Sequence, residues 1–149
     1  MSQRLKLKAL DAEDLQVISA ALQDSLVAVR DIAWMAAEKR FALVANRFRW
    51  EAAPDDNGAW SRCHSILGFA DIGAVRHAEM PLSEPDRILG LLAIESEAAE
   101  GGGVIVRLRF ADGRMIRLEA PRLLCHLEDV GEPWPTRFRP DHPLADTTS

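Results

Sequence analysis

From Leu26 to Glu119 the apolar side chains recur mainly at every second position. A period of two places neighbouring side chains on opposite faces of a strand, so most of this chain has to pair as β-sheet. The clearest unit is Val104-Ile105-Val106-Arg107-Leu108-Arg109-Phe110, then Ala111-Asp112-Gly113, then Arg114-Met115-Ile116-Arg117-Leu118-Glu119. This reads as a hairpin. A two-residue Asp-Gly loop would set Leu108 against Arg117 and mix core with surface. A three-residue loop with Gly113 in the left-handed region sets Leu108 against Ile116 and Val106 against Leu118, which gives one clean apolar face. Arg107 then opposes Arg117, and Ile105 opposes Glu119, on the outer face.

Five further stretches read as strands: Leu26 to Arg30, Ile32 to Met35, Phe41 to Trp50, Trp60 to Phe69 and Ile72 to Met80. Ile88 to Ile94 is too short for periodicity to choose between strand and helix. In Phe41 to Trp50 the apolar character passes from both faces to the even-numbered face, which leaves Arg47 and Arg49 pointing outward. Pro54-Asp55-Asp56-Asn57-Gly58 and Gly101-Gly102-Gly103 are loops.

Helical signals flank the sheet region. Behind a short strand at Leu5 to Leu10, Asp11 is a candidate N-cap with acids in the first turn. Leu15, Ile18 and Leu22 then form one face of a helix expected to end near Asp24-Ser25. Pro121 suits a first helical turn, and Leu123, Leu124, Leu127 and Val130 fit a short second helix ending at Gly131. The fold expected is therefore α+β. A mostly antiparallel curled sheet or partial barrel of six to eight strands carries an N-terminal helix and a short C-terminal helix, and a pleckstrin-homology-like barrel is the specific expectation. Residues 1–131 form the domain, and residues 132–149 form a Pro-rich tail partly packed on it.

The 149 residues suit one domain, and 48% hydrophobic with 28% charged residues is ordinary for a globular chain. The net charge is −5. Residues 1–50 are net +2, residues 51–100 net −7 and residues 101–149 neutral. An acidic balance argues against nucleic acid as a partner. No apolar run approaches the ~20 residues of a membrane span, and no secretory leader is evident. A cytoplasmic location is expected, with Cys63 and Cys125 reduced.

Cys63-His64 and Cys125-His126 offer soft ligands in two pairs, but neighbours on a strand point to opposite faces and there is no Cys-x-x-Cys, so no metal is expected. A Cys-His nucleophile, Cys63 with His126 or Cys125 with His77, is an open alternative without a flanking motif. No cofactor-binding motif occurs. Arg47, Arg49, Arg107, Arg109 and Arg117 all fall on expected outward strand faces. Neighbouring strands would make of them a basic plate for an anion or an acidic partner. The plainer reading pairs them with Glu51, Glu119 and the acidic middle third. In the tail, Trp134, Arg137, Phe138 and Arg139 sit among prolines and either pack on the domain or contact a partner.

Three stretches resemble a known family: Leu7-Lys8-Ala9-Leu10-Asp11-Ala12-Glu13-Asp14-Leu15, then Ala33-Trp34 through Asn46-Arg47-Phe48-Arg49-Trp50-Glu51, and Pro133-Trp134-Pro135-Thr136 to Pro140-Asp141-His142-Pro143. The family is an alphaproteobacterial domain of unknown function, number 2948, and the resemblance spans essentially the whole chain. It implies a bacterial cytoplasmic protein and supplies no catalytic residues. The functional expectation is a non-catalytic binding or adaptor domain that engages a protein through the tail or the arginines. The alternatives are a small-molecule or anion-binding regulatory domain and an enzyme with a Cys-His site.

Overall fold

The computed structural model describes residues 4–140. In chain order the elements are β1 (Lys6–Ala9), α1 (Ala12–Ala21), β2 (Ser25–Ala28), β3 (Ile32–Met35), β4 (Arg40–Phe48), β5 (Trp60–Phe69), β6 (Ala74–Ala78), β7 (Ile88–Ala98), β8 (Val104–Phe110), β9 (Met115–Ala120) and β10 (Cys125–Thr136). Every pairing is antiparallel. The ten strands form one open sheet, β1-β10-β5-β4-β2-β7-β8-β9-β6, with β3 as a branch on β4.

Strand β4 organises this arrangement. One of its edges pairs with β5 from Phe41 to Phe48. The other is shared: Arg40–Leu43 take β3, and Asn46 takes Leu26 of β2. The sheet is thereby split into two half-sheets, β1-β10-β5-β4-β3 and β2-β7-β8-β9-β6, hinged at the single pair Leu26–Asn46. Their inner faces share one core. Phe41, Leu43, Leu67, Phe69 and Leu127 come from the first half and Leu89, Leu91, Val106, Leu108, Ile116 and Leu118 from the second. Leu15 and Ile18 of α1, with Leu22 just past its end, join the same core. Burying each such side chain contributes roughly 1.5–3 kcal/mol.

Local chemistry fixes the elements. Asp11 caps α1 by accepting the Asp14 amide at 2.8 Å, as the sequence suggests. The helix stops at Ala21, earlier than expected, because Asp24 turns left-handed (φ 62°) to start β2. The β8–β9 hairpin has the three-residue loop and the expected register, Leu108 against Ile116 and Val106 against Leu118. Gly113 takes φ 74°, and Asp112 joins it in the left-handed region at 66°. Ile88 opens a strand of eleven residues rather than a helix.

Three expectations are corrected. The described residues form ten strands, not six to eight. The second helix is absent among the described residues, and Cys125–Thr136 is a strand instead. Leu123, Cys125, Leu127 and Asp129 are buried while His126 and Glu128 are exposed, a period of two. Pairing on both edges, to β1 and β5, satisfies the backbone that a helix would have satisfied internally. The capping helix of the expected pleckstrin-homology-like barrel is therefore replaced by an interior strand. β10 also runs through Gly131 into the Pro-rich segment, to Thr136.

The third correction concerns Arg47. The buried face of β4 is the odd one, Phe41, Leu43, Ala45 and Arg47, and Arg47 has no solvent exposure. Its Nε donates to Asp129 Oδ1 at 2.8 Å and its Nη2 to Oδ2 at 2.7 Å. Nη1 and Nη2 also donate to the two Glu51 carboxylate oxygens at 2.9 and 2.8 Å. Ser65 Oγ donates to Asp129 Oδ1 at 2.6 Å, and the Leu5 amide to Oδ2 at 2.8 Å. Four of the five N–H donors of Arg47 thus end on carboxylates. Burial opposes the charge on Asp129, but the hydrogen bonds from Arg47, Ser65 and Leu5 outweigh it and hold the carboxyl far below the usual range. Burial likewise opposes the charge on Arg47, and its two carboxylates outweigh that, so the guanidinium stays protonated.

Removing one partner of a buried pair strands the other charge, at a cost of about 3–5 kcal/mol. Asp129→Asn is expected to lower the unfolding free energy by about that much in urea titrations. Arg47→Met combined with Asp129→Leu is expected to lose less than Asp129→Asn alone. The acid response follows from the depressed pKa. The Asp129 carboxylate is bound in the fold below its unfolded value of about 3.9. Its contribution is complete above that value and drains away as pH falls toward the folded-state pKa. Unfolding free energy measured from about pH 5 down to about pH 2 should therefore fall, with a shallower slope in Asp129→Asn.

Candidate functional site

The five arginines do not form one plate. Arg47 is the buried centre of the ion network. Arg49, on the chain just past β4, donates to Ser61 Oγ at 2.9 Å and is mostly buried. Arg107 and Arg109 on β8 and Arg117 on β9 belong to the second half-sheet, and β2 and β7 separate them from β4. Arg107 pairs with Glu97 at 2.6 Å and Arg109 pairs with Glu95. Of the tail residues, Trp134 lies in β10 with its ring against His64, centroids 4.7 Å apart. The Arg139 guanidinium stacks over Trp50 and Trp60 at 5.7 and 5.2 Å. Arg137 is exposed, and so is Phe138, at 82%. Two of the four thus contact the domain itself.

Both thiols are buried and free; Cys125 belongs to the hydrophobic core, and Cys63 lies beside Ser65 of the ion network. Burial pushes the Cys125 thiol up to about 12. Burial also raises Cys63, against the pull of Arg47 directly opposite it. Neither is a thiolate at neutral pH, so neither has the form a nucleophile needs. His64 and His126 lie on the outer face, pointing away from their neighbouring cysteines.

The outer face of the first half-sheet holds a feature the sequence reading did not assemble. Register places Lys8 of β1, His126 of β10, Gly68 of β5, Ala42 of β4 and Ala33 of β3 in one row across five strands. Large side chains at one end of the row give way to small ones at the other, and an open groove of about 340 Å³ results. Ala42, Ile66, Ala70 and Leu124 supply apolar floor and wall, and Leu10 and Met35 extend them to the ends. Lys8, Arg40 and His126 bring the polar chemistry, and all three are exposed. Among the described residues neither Lys8 nor Arg40 enters an ion pair.

Gly68 sets the position of His126. A Cβ at residue 68 would lie 2.5 Å from the imidazole Cε1 and 2.7 Å from Nε2. The Cε1–Nε2 edge of the ring therefore occupies the space that a side chain at residue 68 would need, over a buried glycine. Glycine inside a strand is the mark of such a close approach, and it is the one signal in the sequence that could have pointed here. A second cavity, about 360 Å³, is lined by Ile32 and Trp34 of β3, Phe41, Val75 and His77 of β6, and Ile116. It lies where the two half-sheets fail to close. Its walls are almost wholly apolar and offer His77 as the one titratable group.

Gly68→Ala is expected to drive the His126 ring out of the groove while leaving the fold intact. The loss of nuclear Overhauser contacts between the imidazole and the residue-68 Hα would report this. Retention of those contacts in the variant would show that the ring does not depend on the glycine.

A family model described as protein of unknown function, DUF2948, matches residues 5–142. No curated protein matches the chain. No solved structure matches it. The matched span takes in every strand, the Arg47–Asp129 pair and the groove, and on that match the chain belongs to the DUF2948 family.

Proposed function

We propose that this is a non-catalytic binding domain whose ligand is a small amphiphilic anion, an apolar body carrying one oxyanion head, held in the groove across β1, β10, β5, β4 and β3. The observation that carries this reading is the combination of apolar floor with Lys8, Arg40 and His126 at one site, none of them paired with a carboxylate among the described residues. Ligand sites commonly run to about 300–1,000 Å³ and combine apolar walls with a few placed polar groups, and this groove has both. Arg40 offers a planar fork to an oxyanion, Lys8 a mobile point charge, and His126 a donor fixed by Gly68.

Buried thiols that have no histidine hydrogen-bond partner among the described residues favour binding over Cys-His chemistry. Contacts of Trp134 and Arg139 with the domain favour a ligand at the groove over a protein partner at the tail. Reduced, buried Cys63 and Cys125 suit a bacterial cytoplasm, where the domain would act as a sensor or carrier of such a ligand.

Calorimetric titration with octanoate tests the reading, with 1-octanol as the uncharged control. Octanoate is expected to bind saturably and octanol at least about tenfold more weakly, since a charge-assisted contact is worth roughly 1.5–3 kcal/mol. Lys8→Ala with Arg40→Ala is expected to abolish the difference between the two. Ala42→Leu, which fills the floor, should weaken both. Equal binding of octanoate by the wild type and the charge-deleted variant would overturn the proposal.

A further inference from the structure

The outer face of the second half-sheet carries a separate arrangement of charge. Direct opposition puts Glu95 of β7, Arg107 of β8, Arg117 of β9 and Arg76 of β6 in one row across four strands. The next row adds Glu97 and Glu119, and the row on the other side adds Arg109. This is the face opposite the buried Leu108, Ile116 and Leu118. Ion pairs run diagonally across it, Arg107 with Glu97 at 2.6 Å, Arg76 with Glu119 at 3.1 Å, and Arg109 with Glu95. Four arginines thus meet three glutamates, and the one left over is Arg117, at the centre.

Arg117 makes no ion pair among the described residues, and its Nε is a buried donor without a hydrogen-bond partner. A cavity of about 190 Å³ opens beside it, lined by Arg76, His77, Ala78, Met115 and Arg117. Opposed residues in an antiparallel pair have Cβ atoms only about 4.5–5.5 Å apart, so like charges there repel. An unmade hydrogen bond on a buried donor is a further cost. One ligand relieves both: an oxyanion seated over Arg117 with oxygens left for Arg107 and Arg76.

We propose that Arg117, flanked by Arg107 and Arg76, is the centre of a phosphate-binding site that takes free phosphate or the phosphate of a small phosphomonoester. Phosphate fits better than carboxylate. It carries about −1.5 to −2 at neutral pH and three strong acceptor oxygens, enough to reach three guanidiniums while the glutamates keep their own partners. Ala78 and Met115 supply the apolar part of this cavity's lining, and the arginines supply the contacts to the phosphate itself. The two sites lie on different half-sheets and use no residue in common.

The test is an amide chemical-shift titration of the full chain with inorganic phosphate and, separately, with phenyl phosphate, at ionic strength held constant with sodium chloride. Saturable shifts are expected in β8, β9 and β6. Arg117→Gln should weaken the affinity by about tenfold or more. Equal affinities for the two probes identify free phosphate as the ligand, and tighter binding of phenyl phosphate identifies an ester. Should Arg117→Gln fail to give a folded spectrum, Arg76→Gln takes its place, since that side chain is exposed and should weaken binding in the same direction. Shifts no larger than those from chloride, or an unchanged affinity in the folded variant, overturn the site. The Lys8→Ala, Arg40→Ala protein should bind phosphate normally, so failure of the groove and failure of this site are read separately.

Discussion

Arg47 carries a full positive charge at a position with no access to water, and four chain segments converge to hold it there. β4 supplies the guanidinium, β10 supplies Asp129, β5 supplies Ser65, and the turn after β4 supplies Glu51. Asp129 also takes the Leu5 amide, while the Asp129 amide donates to the Leu5 carbonyl at 2.9 Å, which ties the start of β1 to β10. An ion pair of this kind stabilises little against a well-packed apolar substitute, because both charges were removed from water to make it. Its effect is on alternatives. Any slip of β10 against β5, or of β4 against β5, leaves a buried charge without its partner. The register of the first half-sheet follows from that penalty, and so does the row that places Lys8 beside His126, Gly68 and Ala42.

The sharing of one β4 edge by β2 and β3 has the second large consequence. A strand of nine residues cannot keep two partners on the same edge without the partners diverging. The sheet therefore separates into halves that curl over one core and leave two outer faces of different character. The first is furrowed by small residues and edged by unpaired cations. The second is flat and laced by alternating Arg and Glu. Each face gathers residues from strands far apart in the chain, which is why both candidate sites are products of topology rather than of any local motif.

That distinction explains what could be read in the sequence. The β8–β9 hairpin was legible down to its register, because an Asp-Gly loop and strict alternation are local signals that agree. The cap at Asp11 was legible for the same reason. β10 was not, because Leu123, Leu124, Leu127 and Val130 satisfy a helical period while Leu123, Cys125, Leu127 and Asp129 satisfy an extended one. The deciding fact is a pair of neighbours, β1 and β5, that lie more than fifty residues away in the chain. Arg47 was misread by the ordinary rule that a charge on a strand faces water. Its main partner lies 82 residues further on, beyond any local pattern. The groove was invisible for the same reason, apart from the hint of a glycine inside β5.

The uneven charge along the chain also acquires a physical meaning. Residues 51–100 hold ten acids and three bases, which by itself suggests an acidic face. Their acids are instead distributed to arginines from elsewhere: Glu51 to Arg47, Asp71 to Arg122, Asp86 to Arg30, Glu95 to Arg109 and Glu97 to Arg107. Most of these pairs are exposed and contribute little to stability. What they do is cancel cations selectively. Lys8 and Arg40 on one face and Arg117 on the other are among the cations that have no carboxylate partner among the described residues, on a chain whose total charge is negative. On a net acidic protein such cations would draw an anion that the overall charge repels elsewhere, and the placement of Lys8 and Arg40 follows from the strands that the Arg47–Asp129 pair holds in register.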